Sequence, residues 1–97
     1  MNMQSIMAQA QKLQRDITAK KEAINKMLFV GESELVNITM NGKKEITKVE
    51  IKGEIDPSDK EMLEDMILLA TNKAINLVDK EVEKQLCQYS SALNGLM

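Results

Sequence analysis

The sequence predicts an α+β fold of order α-β-β-β-α, in which two long helices flank a small antiparallel sheet, read as a single domain over residues 1–97. Three observations carry that prediction. A heptad-like apolar seam occupies the first quarter of the chain. Period-two alternation stands on both sides of Asn41-Gly42. A second, longer apolar pattern in steps of three and four fills the C-terminal part.

The first helix is expected over about residues 3 to 27. Apolar residues fall at Met3, Ile6, Ala10, Leu13, Ile17, Ile24 and Met27, with one gap filled by Lys20 and no proline or glycine inside. Such a helix runs roughly 37 Å, whereas a strand of about six residues spans only roughly 20 Å. A helix that overhangs its sheet leaves apolar stripe without a partner in its own chain, and on a small protein this predicts self-association. We therefore expect a homodimer with projecting helices, in contact through Ile6, Ala10, Leu13 and Ile17 of the first helix and Val82 and Leu86 of the second.

Strands follow. Met27-Leu28-Phe29-Val30 before Gly31-Glu32-Ser33-Glu34 reads as a short first strand and a turn. In Leu35-Val36-Asn37-Ile38-Thr39-Met40, the residues Val36, Ile38 and Met40 share one face. Asn41-Gly42 is the strongest hairpin signal in the chain. The return strand is expected from Glu45 to Lys52, with Thr47, Val49 and Ile51 on one face and Ile46 on the other. A four-residue loop, Asn41 to Lys44, sets Val36 against Val49 and Ile38 beside Thr47. A two-residue turn sets Ile38 against Glu45. Cross-strand pairing of apolar side chains favours the longer loop.

The second helix opens at Asp56-Pro57-Ser58-Asp59-Lys60-Glu61. Either Ser58 with Glu61 forms a capping box, or Asp56 caps with Pro57 in the first helical position. Its stripe runs Met62, Met66, Ala70, Ala74, Leu77, Val78, Val82, Leu86, Tyr89 and Leu93, towards a stop at Asn94-Gly95. The first half, through Val78, is broadly apolar and should cover the sheet. The narrower second half should project.

Composition excludes several classes. There is no histidine, and Cys87 is the sole cysteine, so neither a disulfide framework within one chain nor a Cys/His zinc site can form. With no histidine to act as a base or to activate the Cys87 thiol, enzyme chemistry is not expected. No phosphate-binding loop is present among the four glycines. Glu61, Glu64 and Asp65 share a helix face, which is an ordinary charge pattern for a helix start and is read as no metal site. The longest apolar run, Met66 to Ala70, is far short of the roughly 20 residues of a spanning helix. No signal peptide is read at the N-terminus, and a reduced, cytoplasmic protein without cofactor, small-molecule substrate or membrane partner is expected. Phe29 and Tyr89 are the only aromatics and eight methionines supplement the core, so one chain alone buries little.

Charge is unevenly distributed. Residues 1–29 hold five cations against two acids, +3; residues 30–58 hold four against six, −2; residues 59–97 hold four against seven, −3. The first helix is the basic element, and dimerisation doubles it.

These pieces together resemble the small bacterial nucleoid-associated proteins of the YbaB/EbfC family. The resemblance is carried by Met7-Ala8-Gln9-Ala10-Gln11-Lys12-Leu13-Gln14, Val30-Gly31-Glu32-Ser33, Leu35 to Gly42, Val49-Glu50-Ile51, Asp59 to Met66, and Ala70-Thr71-Asn72-Lys73-Ala74, similar to the family's A-x-N-x-A signature. It implies a homodimer whose helices project like tweezer arms, binding duplex DNA with limited sequence preference, associated with the nucleoid. Two departures stand out. Glu34-Leu35 follows Ser33 directly where the family has a glycine-rich stretch, and the tail beyond Leu93 is short. Small residues at 70 and 74 are expected to admit another backbone, with Asn72 bonding strand or loop groups.

For that function the expected DNA-contacting residues are Lys12, Arg15, Lys21 and Lys26, away from the seam of the first helix. Phosphate contacts supply affinity without sequence information; Asn2, Gln4, Gln9, Gln11 and Gln14 add hydrogen-bonding capacity. The alternative is a protein-binding or scaffolding helical dimer without DNA contact. Salt dependence separates the two, because apolar helix pairing is insensitive to salt. Membrane-surface binding is weaker still, for the first helix lacks Trp and Phe.

Overall fold

A computed structural model describes residues 2–96, with side chains described through Cys87. The order is α1 (Met3–Lys26), β1 (Leu28–Glu32), β2 (Val36–Asn41), β3 (Ile46–Ile51), a 3-10 turn (Pro57–Asp59) and α2 (Lys60–Leu96). The sheet is antiparallel in the order β1-β2-β3. This is the expected α-β-β-β-α arrangement. Tyr89 and Leu93 of the expected stripe lie outside the described side chains, and α2 continues past Asn94-Gly95, where a stop is expected.

Asn2 caps α1, its side-chain oxygen accepting from the Gln4 N–H at 3.0 Å. Of the two caps open to the second helix, the chain uses Asp56, whose Oδ1 accepts from the Ser58 N–H at 3.0 Å with Pro57 leading the 3-10 turn. The Ser58 N–H and hydroxyl hold the Asp56 carboxyl below its ordinary value of 3.8. A folded-state value depressed in this way adds stability above the ordinary value, lost as pH falls through the lowered one. Asp56→Ala should therefore lower Tm at neutral pH, and the gap from the parent protein should narrow as pH falls through the carboxylate range. A gap that persists in acid would assign the effect to something other than the carboxylate.

The β1–β2 turn is tight without glycine. The Ser33 hydroxyl donates to the Val36 carbonyl at 2.8 Å and accepts from the Val36 N–H at 3.2 Å, so the buried Ser33 closes a two-residue Glu34-Leu35 turn. Neither Glu34 nor Leu35 needs a positive φ.

The β2–β3 register differs from expectation. Val36 pairs with Ile51 and Ile38 with Val49, not with Val49 and Thr47. The loop is three residues, Gly42 to Lys44, closed by the Asn41 N–H donating to the Glu45 carbonyl at 3.0 Å. Lys44 takes the left-handed conformation with φ 64°, the residue that follows a type I turn in such loops. A bulge between Thr39 and Met40 then leaves Thr47 as the extra residue and pairs Met40 with Ile46. The bulge turns Ile46 onto the face of Val49 and Ile51, whereas strict alternation puts it on the opposite one. All three are apolar, and no register without a bulge joins them.

α2 packs on β1 and β2 and leaves β3 uncovered. The core is correspondingly small: Val36, Ile38 and Ala70 form one cluster, and Ile24, Phe29, Met40, Ala74 and Val78 the other. Ala70 and Ala74 are fully buried because the β1 backbone at Gly31 rests against them. The close approach expected at this Ala-x-x-x-Ala pair is realised, but Asn72 is exposed, and the bond to the strand comes from Lys73, whose Nζ donates to the Glu32 carbonyl at 3.1 Å.

The overhanging seam of α1 is not left open throughout, as the length argument supposes. α1 packs along α2 of the same chain, with Ile24 against Val78 and Val82. Leu13, Ile17, Lys20, Val82 and Leu86 are half-buried, while Ile6 and Ala10 near the tip are exposed. The sheet is not the sole cover for α1: the second helix is longer than the first and supplies the rest.

The result is an elongated body, 70 × 20 × 13 Å, with a radius of gyration of 19.5 Å. A compact domain of this length has about 12.5 Å. The accessible surface is 7286 Å², against about 5,600 Å² for a compact chain of this mass.

Candidate nucleic-acid interface

Lys12, Arg15, Lys21 and Lys26 are all exposed on α1. With about 100° of turn per residue, Lys12, Arg15 and Lys26 fall within about 60° of one another, opposite Ile24. Ile24 is held against α2, so these three share the solvent side. Lys21 stands apart. It lines a groove with Ile24, Asn25 and Val82 at the α1–α2 seam. The structure thus brings three of the four expected residues onto one face and turns the fourth towards the helix pair. Glu22 lies in the same band as Arg15 and lowers its net charge. Arg15 Nε reaches the Gln11 carbonyl at 3.5 Å, one turn back. That leaves the guanidinium at the surface, available to an anion.

One basic residue adjoins this face that the sequence does not reveal as its neighbour. Gly42 of the β2–β3 turn lies so close to the Ile24 carbonyl that a Cβ there would collide with it. The turn is thereby seated on the C-terminal end of α1, and Lys43 lines one groove with Glu22, Asn25, Lys26 and Asn41. Lys44, next in sequence, faces elsewhere, with its Nζ 2.7 Å from Asp79 of α2. The only signal in the sequence is the Lys43-Lys44 pair itself, and nothing in it distinguishes the two.

The opposite end of the body is acidic. Glu32, Glu34, Glu54, Asp56, Asp59, Glu61, Glu64 and Asp65 lie around the sheet end and the start of α2, with Lys52 and Lys60 as the cations in those segments. Among the described residues no group of three or more His, Cys, Asp or Glu side chains is placed to hold a metal ion. None of the described helices is long and apolar enough to cross a membrane. Cys87 is exposed on α2, its thiol donating to the Lys84 carbonyl at 3.3 Å.

A basic face on a helix arm, opposite an acidic pole, agrees with the family match. Residues 1–93 match the model of the YbaB/EbfC DNA-binding family. The chain belongs to that family. Its relatives span nearly their whole length with it. A nucleoid-associated protein of Ligilactobacillus salivarius is 37% identical over 99 residues, covering 99% of this chain and 95% of the relative. One from Enterococcus faecalis is 36% identical, covering 97% of this chain and 93% of the relative. Another, from Lactococcus lactis subsp. lactis, is 40% identical, covering 96% and 97%. The YbaB/EbfC match includes the whole of α1, the sheet and all but the last residues of α2.

Proposed function

We propose that this chain is a nucleoid-associated protein that binds duplex DNA as a homodimer, chiefly through backbone and shape contacts. The observation that carries the reading is the exposed face of Lys12, Arg15 and Lys26 on the one net-basic element of an otherwise acidic chain, in a member of a DNA-binding family. The names of the relatives support the nucleoid as its location.

Backbone contact follows from the width of the arm. A lone helix, about 10–12 Å across, enters the major groove, which is about 12 Å wide. α1 is paired with α2 along much of its length. Two helices packed about 8–10 Å apart are together close to 20 Å wide and ride on the phosphates. Lysine and arginine on such a surface attract without specifying sequence.

Dimerisation is supported by the surplus of surface and by its chemistry. Ile46, Val49 and Ile51 of β3 are 49%, 53% and 49% exposed, on the face that α2 covers over β1 and β2. Ile67 and Leu68 of α2 are also exposed. The surplus over a compact monomer, roughly 1,700 Å² by the figures above, exceeds the roughly 800 Å² each partner contributes to a standard interface. A second copy seated on β3 removes this apolar area from water. That puts the interface chiefly at β3, with Ile6 and Ala10 as further exposed apolar positions near the arm tips.

The test is a titration of unrelated duplexes at two salt concentrations with Lys12, Arg15, Lys21 and Lys26 all replaced by Ala. Eight charges leave each dimer. If half of them face phosphates, the salt slope flattens by about 3–4 units, at about 0.9 per contact. Affinity should fall alike for every sequence. A variant of unchanged fold that binds as tightly as the parent protein would remove α1 from the DNA surface, in favour of the scaffolding alternative or another basic face.

A further inference from the structure

We propose that the β2–β3 turn is a second phosphate-contacting element, in which Lys43 acts with Lys26 of α1 to extend the basic face beyond the end of the helix. The inference rests on the duplex-binding reading above and adds a residue to that surface.

The turn is rigid in a way that gives its two lysines separate tasks. Asn41 Oδ1 accepts from the Lys43 N–H at 2.9 Å and from the Glu45 N–H at 3.1 Å, and the Lys44 N–H donates to the Asn41 carbonyl at 3.0 Å. One asparagine thus ties down most of the loop backbone. Lys44, with φ 64°, directs its ammonium to Asp79 on α2. Lys43 instead lines the open groove with Lys26. Among the described residues neither Lys26 nor Lys43 forms an ion pair; the pairs present are Lys44–Asp79 and Lys48–Glu50.

Gly42 fixes the relation of the two elements. Its backbone lies against the Ile24 carbonyl and the Asn25 nitrogen, so the turn cannot shift relative to α1 without opening that contact. Two lysines from separate elements therefore line one groove before any ligand arrives. Their mutual repulsion is relieved when an anion sits between them. Glu22, in the same groove, leaves it with one net positive charge, too little to hold a free phosphate well. On a duplex, however, the groove continues the track of Lys12, Arg15 and Lys26, where the neighbouring contacts already hold the backbone.

The experiment compares Lys43→Ala, Lys43→Arg and Lys44→Ala in the full chain, using a mixed-sequence duplex at about 50 and about 200 mM salt. Lys43→Ala should flatten the salt slope by about 2 units per dimer, one contact for each chain at about 0.9. Lys43→Arg should restore the parent slope, since either cation meets a phosphate. Lys44→Ala should leave the slope in place. Lys43 is exposed, so Tm and the oligomeric state should not move in either Lys43 variant, whereas Lys44→Ala gives up a surface ion pair with Asp79 and should lower Tm only slightly. An unchanged slope in Lys43→Ala, alongside a flattened one in the fourfold α1 variant, overturns this inference and leaves the duplex reading standing. Equal losses for Lys43 and Lys44 also overturn it, since they point to overall charge and not to the groove. A parent protein that binds no duplex overturns both.

Discussion

Replacing Gly31 by alanine should remove a large share of the stability of this protein. A methyl group at that position would collide with the Ala70 carbonyl oxygen, stand 2.6 Å from the Ala74 nitrogen and 3.0 Å from the Ala74 Cβ. The obstacles are helix backbone, which has no rotamer to change. Either β1 lifts from α2 or the helix shifts, and both loosen Phe29, Ala70 and Ala74, where the two clusters of the core meet. Overpacking ordinarily costs about 1–3 kcal/mol and occasionally more. Against a rigid backbone the cost should be at least about 3 kcal/mol, a large share of the roughly 5–15 kcal/mol that holds a domain together. Urea unfolding followed by circular dichroism measures it as a lowered midpoint at constant slope. Gly53→Ala is the informative contrast. Gly53 has φ 78° and nothing within 4 Å of a new Cβ, so only its backbone conformation is strained and the loss should be about 1 kcal/mol. Equal effects at both sites would mean that close packing of β1 on α2 is not what Gly31 secures.

Val49→Asp should break the proposed homodimer. In a single chain Val49 is half-exposed, so a carboxylate there meets water and costs little. Beneath a second copy the same carboxylate is buried without a partner, at a cost of several kcal/mol. Sedimentation at micromolar concentration should give about 22 kDa for the parent protein, twice the 10.9 kDa chain, and a smaller species or an unfolded one for the variant. The milder Val49→Ala should cost about 1–3 kcal/mol if covered and less than about 1 if not. Ile6→Asp, at the tip of α1, should leave the dimer intact. The reverse pattern, with Ile6→Asp dissociating and Val49→Asp not, would return the interface to the helix seam.

Much of the fold is legible in the sequence, because each element carries its own local chemistry. Both long helices follow from three- and four-residue apolar spacing, and the strands from alternation around Asn41-Gly42. Local chemistry narrows the start of the second helix to two caps, Asp56 and Ser58, of which Asp56 is used. The hairpin register is not legible in the same way. Pairing the apolar faces of β2 and β3 has two solutions that differ by two residues, and only the Lys44 conformation and the Thr47 bulge select between them. Neither has a strong residue signature, since the left-handed position holds a lysine in place of the usual glycine.

For the candidate interface, exposure of the four α1 cations was legible from the seam, because a residue opposite an apolar stripe faces solvent wherever the stripe is buried. Their grouping was less so. Lys21 lies near enough to the seam that its neighbours depend on the position of α2, and Lys43 joins Lys26 only because Gly42 lets the turn rest on α1.

The sequence by itself determined the order of elements, the identity of the basic helix and the positions of the apolar stripes, all of which are periodic or local properties. Tertiary structure decided which stripes are spent inside the chain. Side-chain spacing shows that a face is apolar, but not what lies against it. α2 takes up the middle of the α1 seam and the near faces of β1 and β2, leaving β3 open. A helix cannot cover all three strands of this sheet and also run along another helix. That geometric limit, and no feature of β3 itself, leaves Ile46, Val49 and Ile51 exposed.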